Sequence, residues 1–486
     1  MTRQRMKRSM DAIDRATDSD DSNSDSVVET WGRRVGSHIA SSAVFRDRVP
    51  PRRRPALFLE TIYNIGTGAF VSLFLLTPVV LKTILGGSAD HLALFAAMFG
   101  GSSLLSPLVS YAARWLPMRS LIILPNLAVA SLLFATALPF SGPLVFTLVV
   151  GGAFIVRVFP RVGEMNMYRV FYPYTHRGAA VGWVKSIAAV SALVVTLLGY
   201  WWFSFLPGRY WMLYWLVGFL LFGSTIAYSR IPVSRRDSFT PEDQTRGPHR
   251  AFWNGLRAFF ADRRFVLYQI GFSLAGFANH MALVFVAEVL TDLLSRRSVE
   301  SIVPAFLHPL VLTSWQWSHQ TVMSLVVGFV FAVVPGLLMM SSLPFWGRFL
   351  DRVNPMLGRS VFNTFQCIAF GLHAYGGMTL QIWPFLLGAI VHSIGNGGQT
   401  INWLTGSLYF ARSDQVSLYN TIHVHLTGLR GLTAPLIGLY LYRASGLDLG
   451  PRIFWVAAVL SLLGAVFMLV QGLLDPGSRE RDEGSS

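Results

Sequence analysis

The loop that decides the fold covers residues 347–359 and reads GRFLDRVNPMLGR. An apolar run of about 20 residues, the length that crosses a bilayer, ends just before this loop, and another begins where it ends. The charged side chains of the loop are three arginines and one aspartate. Basic loops between apolar spans usually lie in the cytoplasm, so this stretch predicts two membrane helices that are joined on the cytoplasmic side.

The same spacing occurs earlier in the chain. Pro107 precedes Asn126 by the interval that separates Pro344 from Asn363, and in both copies a short basic loop joins two apolar runs. The offset between the copies is close to half the chain. Membrane proteins built from two similar halves usually bind their substrate between the halves, near the middle of the bilayer. The repeat therefore points to transport.

The composition is that of a membrane protein. The 486 residues are 52% hydrophobic and 13% charged, with a mean hydropathy of +0.47, whereas soluble domains carry about 25% charged residues. The net charge of +15 sits mostly in loops between apolar runs, which indicates membrane topology and argues against a nucleic-acid partner. Cys367 is the only cysteine, so neither an intramolecular disulfide nor a cysteine metal site is expected.

The apolar runs predict twelve transmembrane spans. Each span must satisfy its own backbone hydrogen bonds in lipid, so all of them are predicted to be helices. The predicted fold class is therefore an all-α membrane protein with twelve transmembrane helices. The spans are 57–81, 91–113, 119–138, 143–166, 179–204, 210–229, 266–291, 320–343, 359–379, 382–408, 415–442 and 452–474.

Arginine-rich loops alternate with arginine-poor loops along the chain. An even number of spans places both ends on one side, and the positive-inside rule makes that side the cytoplasm. The basic N-terminus is followed by no apolar run until Leu57, so no signal peptide is expected. We expect a monomeric, multi-pass protein of the plasma (inner) membrane that contacts membrane lipid and has both termini in the cytoplasm.

Polar segments divide the chain into two halves and two tails. The external loop at 292–319 has an apolar centre and is predicted to lie at the membrane interface, with a gating lid as the alternative. The predicted domains are a disordered cytoplasmic N-terminal tail at 1–56, a six-helix bundle at 57–229, a cytoplasmic linker at 230–265, a second six-helix bundle at 266–474 and a cytoplasmic tail at 475–486.

The loop at 347–359 resembles the signature loop of the major facilitator superfamily. That signature has a glycine, an Asp-Arg pair four residues later and then a glycine and further basic residues. Gly347, Asp351 and Arg352 match it, and the closing Gly358-Arg359 comes later than in the family. The resemblance implies two pseudo-symmetric six-helix bundles that transport a solute by alternating access. It also implies a conformational loop that stabilises one state of the transporter and contains Gly347, Asp351, Arg352 and Arg359.

The first copy of the loop departs from the family pattern. Ser110 stands near the glycine position, and Arg114 occupies the place of the acid. In the family the stronger copy is the one between the second and third helices, whereas here it lies between the eighth and ninth. The weak first copy leaves a transport-inactive sensor or scaffold open as an alternative, and the resemblance says nothing about the substrate.

Charged side chains inside predicted spans mark candidate sites because their burial in lipid is costly. Arg157, Arg161 and Glu164 share one face of the fourth span. Guanidinium groups bind carboxylate or phosphate in a bidentate way, so this face predicts an anion site. The alternative is an internal charge network with Glu164 and Glu60 as partners. We assign three residues to proton coupling or to that network: Glu60, Glu164 and Lys185. For Lys185 the alternative is that its long side chain extends to the membrane surface.

Arg430 lies near the middle of the eleventh span, between two glycines that let a neighbouring helix approach closely. We predict that it contacts the ligand, and the alternative is a hydrogen bond between helices. His423 lies on the same span. It is a candidate proton carrier because the unperturbed pKa of histidine is near 6.5, and the alternative is a buried neutral histidine.

Amide side chains complete the predicted substrate site. The tenth span carries three of them beside three glycines, and such thinned helices often line transporter sites. A fourth amide in the fourth span falls opposite Asn402 at the repeat offset. The predicted substrate-binding residues are Arg157, Arg161, Asn166, Asn396, Gln399, Asn402 and Arg430.

The sequence thus predicts a secondary active transporter of a small organic solute. The buried arginines favour an anionic or amphiphilic solute, and the family resemblance makes proton coupling the expected energy source. The chain has no glycine-lysine phosphate loop and no catalytic or metal-site spacing that stands out, so we predict no enzyme, cofactor or metal. The alternatives are an exporter of apolar compounds, favoured by the many Phe and Trp residues, and a membrane enzyme.

Overall fold

The computed structural model describes residues 54–112, 116–138, 142–171, 174–231, 257, 259–302, 318–350, 352–410, 416–444 and 452–474. Within these ranges the chain is helical and forms no strand. Most of the predicted N-terminal tail and of the predicted linker, and all of the predicted C-terminal tail, lie outside the described residues, as do 303–317 of the external loop.

The first half of the chain forms helices α1 to α8. They are α1 Arg54–Val79, α2 Ala89–Gly101, α3 Ser106–Ala112, α4 Met118–Phe134, α5 Pro143–Val156, α6 Val158–Phe171, α7 Tyr174–Phe205 and α8 Tyr210–Ser229. A π-helical turn at Val80–Ile84 extends α1, and a 3-10 turn at Ser102–Leu105 joins α2 to α3.

The second half forms helices α9 to α16. They are α9 Arg263–Ser295, the short α10 Val299–Ile302, α11 His319–Gly328, α12 Val334–Leu350, α13 Pro355–Thr379, α14 Trp383–Thr405, α15 Val416–Ala444 and α16 Arg452–Leu474. A π-helical turn at Phe329–Val333 joins α11 to α12, and a 3-10 turn at Gly406–Tyr409 extends α14.

The fourth predicted span is interrupted where the sequence analysis expected one continuous helix. It consists of α5 and α6, which meet at Arg157. Pro160 explains the break, because it has no N–H to donate to the carbonyl of Val156 and so removes one hydrogen bond from the helical ladder. The interruption lies at the charged segment that was predicted to be a functional site.

Capping side chains fix where the helices begin after the basic loops. The side chain of Asn354 accepts a hydrogen bond from the N–H of Met356 at 2.8 Å, and Pro355 occupies the first turn of α13. Asp262 caps α9 by accepting from the N–H groups of Arg264 and Phe265. These are favoured arrangements at helix N-termini, and they place the turn of the 347–359 loop before Pro355.

Seven of the described helices are long and apolar enough to cross a membrane. Helices α13, α14 and α15 are equally long but are not apolar enough to be counted, and the other described helices are shorter, so the count of twelve spans stays a prediction. Large apolar side chains face outward on many helices, and Phe219, Phe345 and Leu473 are 60%, 62% and 65% exposed. An apolar exterior of this kind fits a hydrocarbon solvent, and it is unusual for a soluble monomer.

The two halves pack against each other through a shared apolar core. One cluster of buried side chains includes Phe70 and Phe95 of the first half and Phe285 and Phe454 of the second. Helices α2 and α15 approach most closely at Gly100 and Gly431, where a Cβ on either residue would lie within 2.6 Å of the other's backbone. The absence of side chains at both positions therefore sets the distance between the halves.

Candidate functional site

The first-half site is a charge network centred on Glu164. The Nη2 atom of Arg157 lies 2.6 Å from Oε1 of Glu164, and the hydroxyl of Tyr63 donates to the same oxygen at 2.7 Å. The Nζ atom of Lys185 is 3.5 Å from Oε2, and Asn126 donates to the Tyr63 hydroxyl at 2.8 Å. Arg157, predicted as a ligand contact, is thus held by a carboxylate, which is the alternative that the sequence left open.

Arg161 behaves differently from Arg157. Its side chain is exposed, and its guanidinium carbon lies 5.0 Å from the ring centroid of Trp403 on α14. This cation–π contact joins the two halves of the chain. Asn166 is on α6, in the second-last turn of that helix, which ends at Phe171. Glu60 is buried on α1, and its carbonyl accepts from the side chain of Asn64 at 2.9 Å.

The second-half site is built around Arg430 on α15. The side chain is buried, with its guanidinium carbon 4.4 Å from the ring centroid of Phe272. Nη1 donates to the carbonyl of Phe272 at 3.2 Å, and Nη2 donates to Thr427 Oγ1 at 3.1 Å. Gly276 makes room for this arrangement, because a Cβ there would lie 2.5 Å from the guanidinium carbon.

Arg359 joins Arg430 at the same ring. It was predicted to belong to the conformational loop, but the loop ends at Asn354, and Arg359 lies inside α13. Its side chain is buried, and its guanidinium carbon is 4.0 Å from the ring centroid of Phe272. Of the other predicted loop residues, Gly347 lies in the last turn of α12 and Arg352 is exposed just after it, while Asp351 is outside the described residues.

The predicted amide ligands are held by neighbouring helices. Gln399 donates to Gln366 Oε1 at 2.9 Å, and Asn402 donates to the carbonyl of Pro355 at 3.0 Å. Asn402 also accepts from the hydroxyl of Tyr268 at 3.2 Å. Asn396 is only half-buried, and its amide lies 3.5 Å from the sulfur of Met339. Gln399 and Asn402 therefore hold neighbouring helices together in this state.

His423 lies beside the arginine pair. It is fully buried, and its ring centroid is 4.5 Å from that of Phe272 in an edge-on contact. Its Nδ1 atom is 3.0 Å from the side-chain nitrogen of Gln269. The ring is thus oriented by a neutral partner on α9.

A second set of charged contacts lies at the other end of the helices. Lys82 Nζ is 2.5 Å from Glu288 Oε1 and 3.3 Å from Asp292 Oδ1, and Arg443 pairs with Asp90. We call this the outer end, because the predicted topology places it outside the cytoplasm. No role was predicted from the sequence for Lys82, Glu288 or Asp292, although Lys82 lies at the end of an apolar run.

The outer end also carries a large open groove. Its volume is about 950 Å³, and its walls are mostly apolar, including Tyr200, Trp201, Phe329 and Trp383. No predicted site residue lines it. Among the described residues, no group of three or more His, Cys, Asp or Glu side chains could hold a metal ion.

Comparison with known proteins identifies the fold. No protein family and no curated protein matches the sequence, but solved structures match the fold. A nucleoside transporter, NupG, aligns with a TM-score of 0.62 at 13% identity and covers 85% of this chain and 98% of its own. A POT family transporter in complex with 5-aminolevulinic acid gives 0.64 at 10% identity, covering 86% and 96%. A D-xylose-proton symporter gives 0.57 at 12%, covering 85% and 96%.

These alignments confirm the all-α transporter fold that the loop resemblance implied, while the count of twelve spans and the division into two six-helix bundles stay predictions. The chain has the all-α fold of transporters of the major facilitator type. The proteins named above are transporters of different solutes. At such low identity the likeness establishes the fold, and the function has to be argued from the residues of this chain.

Proposed function

We propose that this protein is a secondary active transporter that moves a small organic solute, anionic or amphiphilic, by alternating access and with proton coupling. The contact of Arg161 with Trp403 carries the proposal. It places an exposed cation of the first half directly on an aromatic ring of the second half. A solute anion that binds Arg161 there touches both halves at once, which is what coupling of binding to their relative motion requires.

The contacts between the halves support alternating access. At the outer end the halves are joined by ion pairs and by a hydrogen bond of 3.0 Å from Thr321 to the carbonyl of Ser204. Toward the opposite end, Arg161 and Trp403 provide a single cation–π contact. Among the described residues, the ion pairs between the halves lie at the outer end, as expected for one state of a rocking transporter.

The direct test is solute uptake into proteoliposomes that contain the purified protein. Labelled organic anions are compared with neutral analogues of similar size, with and without an imposed pH gradient. We expect uptake of anions that the pH gradient accelerates. Arg161→Gln should reduce uptake about tenfold or more, since a charge-assisted hydrogen bond contributes about 1.5–3 kcal/mol.

Arg452→Gln is the matched control, because Arg452 is exposed at the start of α16 and lies outside the proposed site. It should transport like the parent. Equal loss in both variants would show that general surface charge, and not the Arg161 contact, controls uptake. Uptake of neutral apolar compounds alone would favour an exporter of such compounds. Solute binding without any uptake would favour a sensor.

A further inference from the structure

The geometry points to a dianion site inside the second half: we propose that Arg359 and Arg430 bind a doubly charged group, a phosphate ester or a dicarboxylate, of the transported solute. The proposal rests on the proposed function in one respect, namely that the bound dianion is part of the transported solute. It adds Arg359 and Phe272 to the predicted ligand contact Arg430.

Two guanidinium groups share one phenyl ring. Their carbons lie 4.0 Å and 4.4 Å from the ring centroid of Phe272, and both side chains are buried. The ring offsets part of the cost of burial through cation–π attraction, but it supplies no negative charge. Two like charges held this close in a membrane interior need a counter-charge.

No carboxylate supplies that charge in the part of the chain that the structure describes. The described ion pairs use Glu164, Glu288, Asp292 and Asp90, and none of these four contacts Arg359 or Arg430. The first half provides the contrast, since Arg157 there is paired with Glu164. Among the described residues, Arg359 and Arg430 thus differ from Arg157 in having no acidic partner.

Several buried hydrogen-bonding atoms near Arg359 and Arg430 also lack partners. The Nε atoms of Arg359 and Arg430 are buried and have no hydrogen-bond partner, and the same holds for Nε2 of His423. Both side-chain amide atoms of Asn363 are buried without a partner, and this residue lies one turn after Arg359 on the same face of α13. These groups offer several donors to an incoming anion, and two fixed positive charges match a dianion best.

A chain of contacts connects this site with the exposed Arg161. Arg161 lies over Trp403, whose Nε1 donates to Thr427 Oγ1 at 3.4 Å, and Arg430 donates to the same oxygen at 3.1 Å. The indole of Trp403 therefore separates an exposed cation from a buried one. We assign first capture of the anion to Arg161, and deeper binding, once Trp403 moves, to Arg430 and Arg359.

The test measures anion binding by the purified full-length protein in detergent, through its thermal unfolding. Sulfate and inorganic phosphate at alkaline pH are the dianionic probes, and chloride at equal ionic strength is the comparison. We expect sulfate and phosphate to raise the midpoint of unfolding with a saturable concentration dependence and chloride not to do so. In Arg359→Gln and Arg430→Gln the apparent affinity should fall about tenfold or more, while Arg452→Gln should retain it.

A second variant guards against a failure of the arginine substitutions to fold. Gly276→Ala keeps both charges but places a methyl group where the Arg430 guanidinium lies. Because that atom is the far end of a flexible side chain, the guanidinium should move and the helices should stay in place. We expect weaker sulfate binding in Gly276→Ala and unchanged binding in Gly371→Ala, where the added Cβ meets no atom within 4 Å.

The outcomes separate this proposal from the transport proposal. Sulfate binding that Arg359→Gln and Gly276→Ala both weaken supports the dianion site, whether or not uptake is found in proteoliposomes. Sulfate binding equal to the parent's in Arg359→Gln, Arg430→Gln and Gly276→Ala overturns the dianion site, and so does equal stabilisation by chloride. Neither of these last results affects a measured uptake of anionic solutes.

Discussion

The Nζ atom of Lys82 lies 2.5 Å from Oε1 of Glu288 and thereby ties the first half of the chain to the second. Lys82 lies in the π-helical turn that extends α1, and Glu288 lies two turns before the end of α9. Asp292 adds a second carboxylate at 3.3 Å. Since the Glu288 side chain is only 5% exposed, this pair is screened little by solvent, in contrast with the more exposed pair of Arg443 and Asp90.

Removal of the Lys82 charge should open the outer end. In Lys82→Met, Glu288 and Asp292 face each other without a cation, and a buried carboxylate that has lost its partner is strongly unfavourable. We expect Ser204→Cys, placed in a Cys367→Ser background, to react several-fold faster with an impermeant maleimide in Lys82→Met than in the parent. Ser204 reports on this end because its carbonyl accepts from Thr321 across the halves.

Two further variants sharpen that experiment. Lys82→Arg keeps the charge and should label like the parent. Lys82→Met combined with Glu288→Gln removes both members of the pair and should label less than Lys82→Met alone, because no uncompensated charge stays at Glu288. Labelling that is the same in all variants would show that the ion pair does not hold the outer end closed.

A methyl group at Gly431 should force the two halves apart. Its Cβ would lie 2.5 Å from the backbone of Gly100, and backbone atoms inside packed helices cannot shift as cheaply as side chains. We expect Gly431→Ala to shift the protein away from this state, with faster Ser204→Cys labelling and slower uptake. Gly223→Ala meets no atom within 4 Å and should resemble the parent. The interpretation fails if both alanine variants behave alike.

The predicted orientation can be checked with single cysteines. The arginine distribution places residues 235 and 480 in the cytoplasm and residue 300 outside. In a Cys367→Ser background, Arg235→Cys and Glu480→Cys should react with an impermeant reagent only after cells are opened, and Glu300→Cys should react in intact cells. Glu300 is exposed on α10. Reaction of residues 235 and 300 from the same side would contradict the scheme of twelve spans.

The sequence predicted the helices well because lipid imposes a simple rule. Any apolar run of sufficient length has to be helical, and the predicted span 452–474 coincides with α16. The interruptions were not predicted, because they depend on single residues. Pro160 breaks the fourth span, and the π-helical turn that carries Lys82 has no clear sequence signature.

The candidate site was harder to predict than the fold. Spacing placed Arg157 and Glu164 on one face of a helix, and they are ion-paired. Spacing alone could not decide between that pairing and a ligand contact, because the deciding quantity is the position of neighbouring helices. The association of Arg359 with Arg430 was missed for the same reason. Phe272, on a third helix, brings the two arginines together, and an apolar ring in an apolar span carries no signal in a single sequence.

The ion pair of Arg157 and Glu164 should stabilise the first half. Their side chains are only 12% and 6% exposed, and loss of one partner of a buried pair costs about 3–5 kcal/mol. Glu164→Gln preserves the shape of the side chain and should lower the midpoint of thermal unfolding in detergent by several degrees. Arg157→Gln together with Glu164→Gln should recover more than half of that loss, because no buried charge is then left unpaired. A double variant at least as unstable as Glu164→Gln would instead assign the stability to the hydrogen bond from Tyr63 to Glu164.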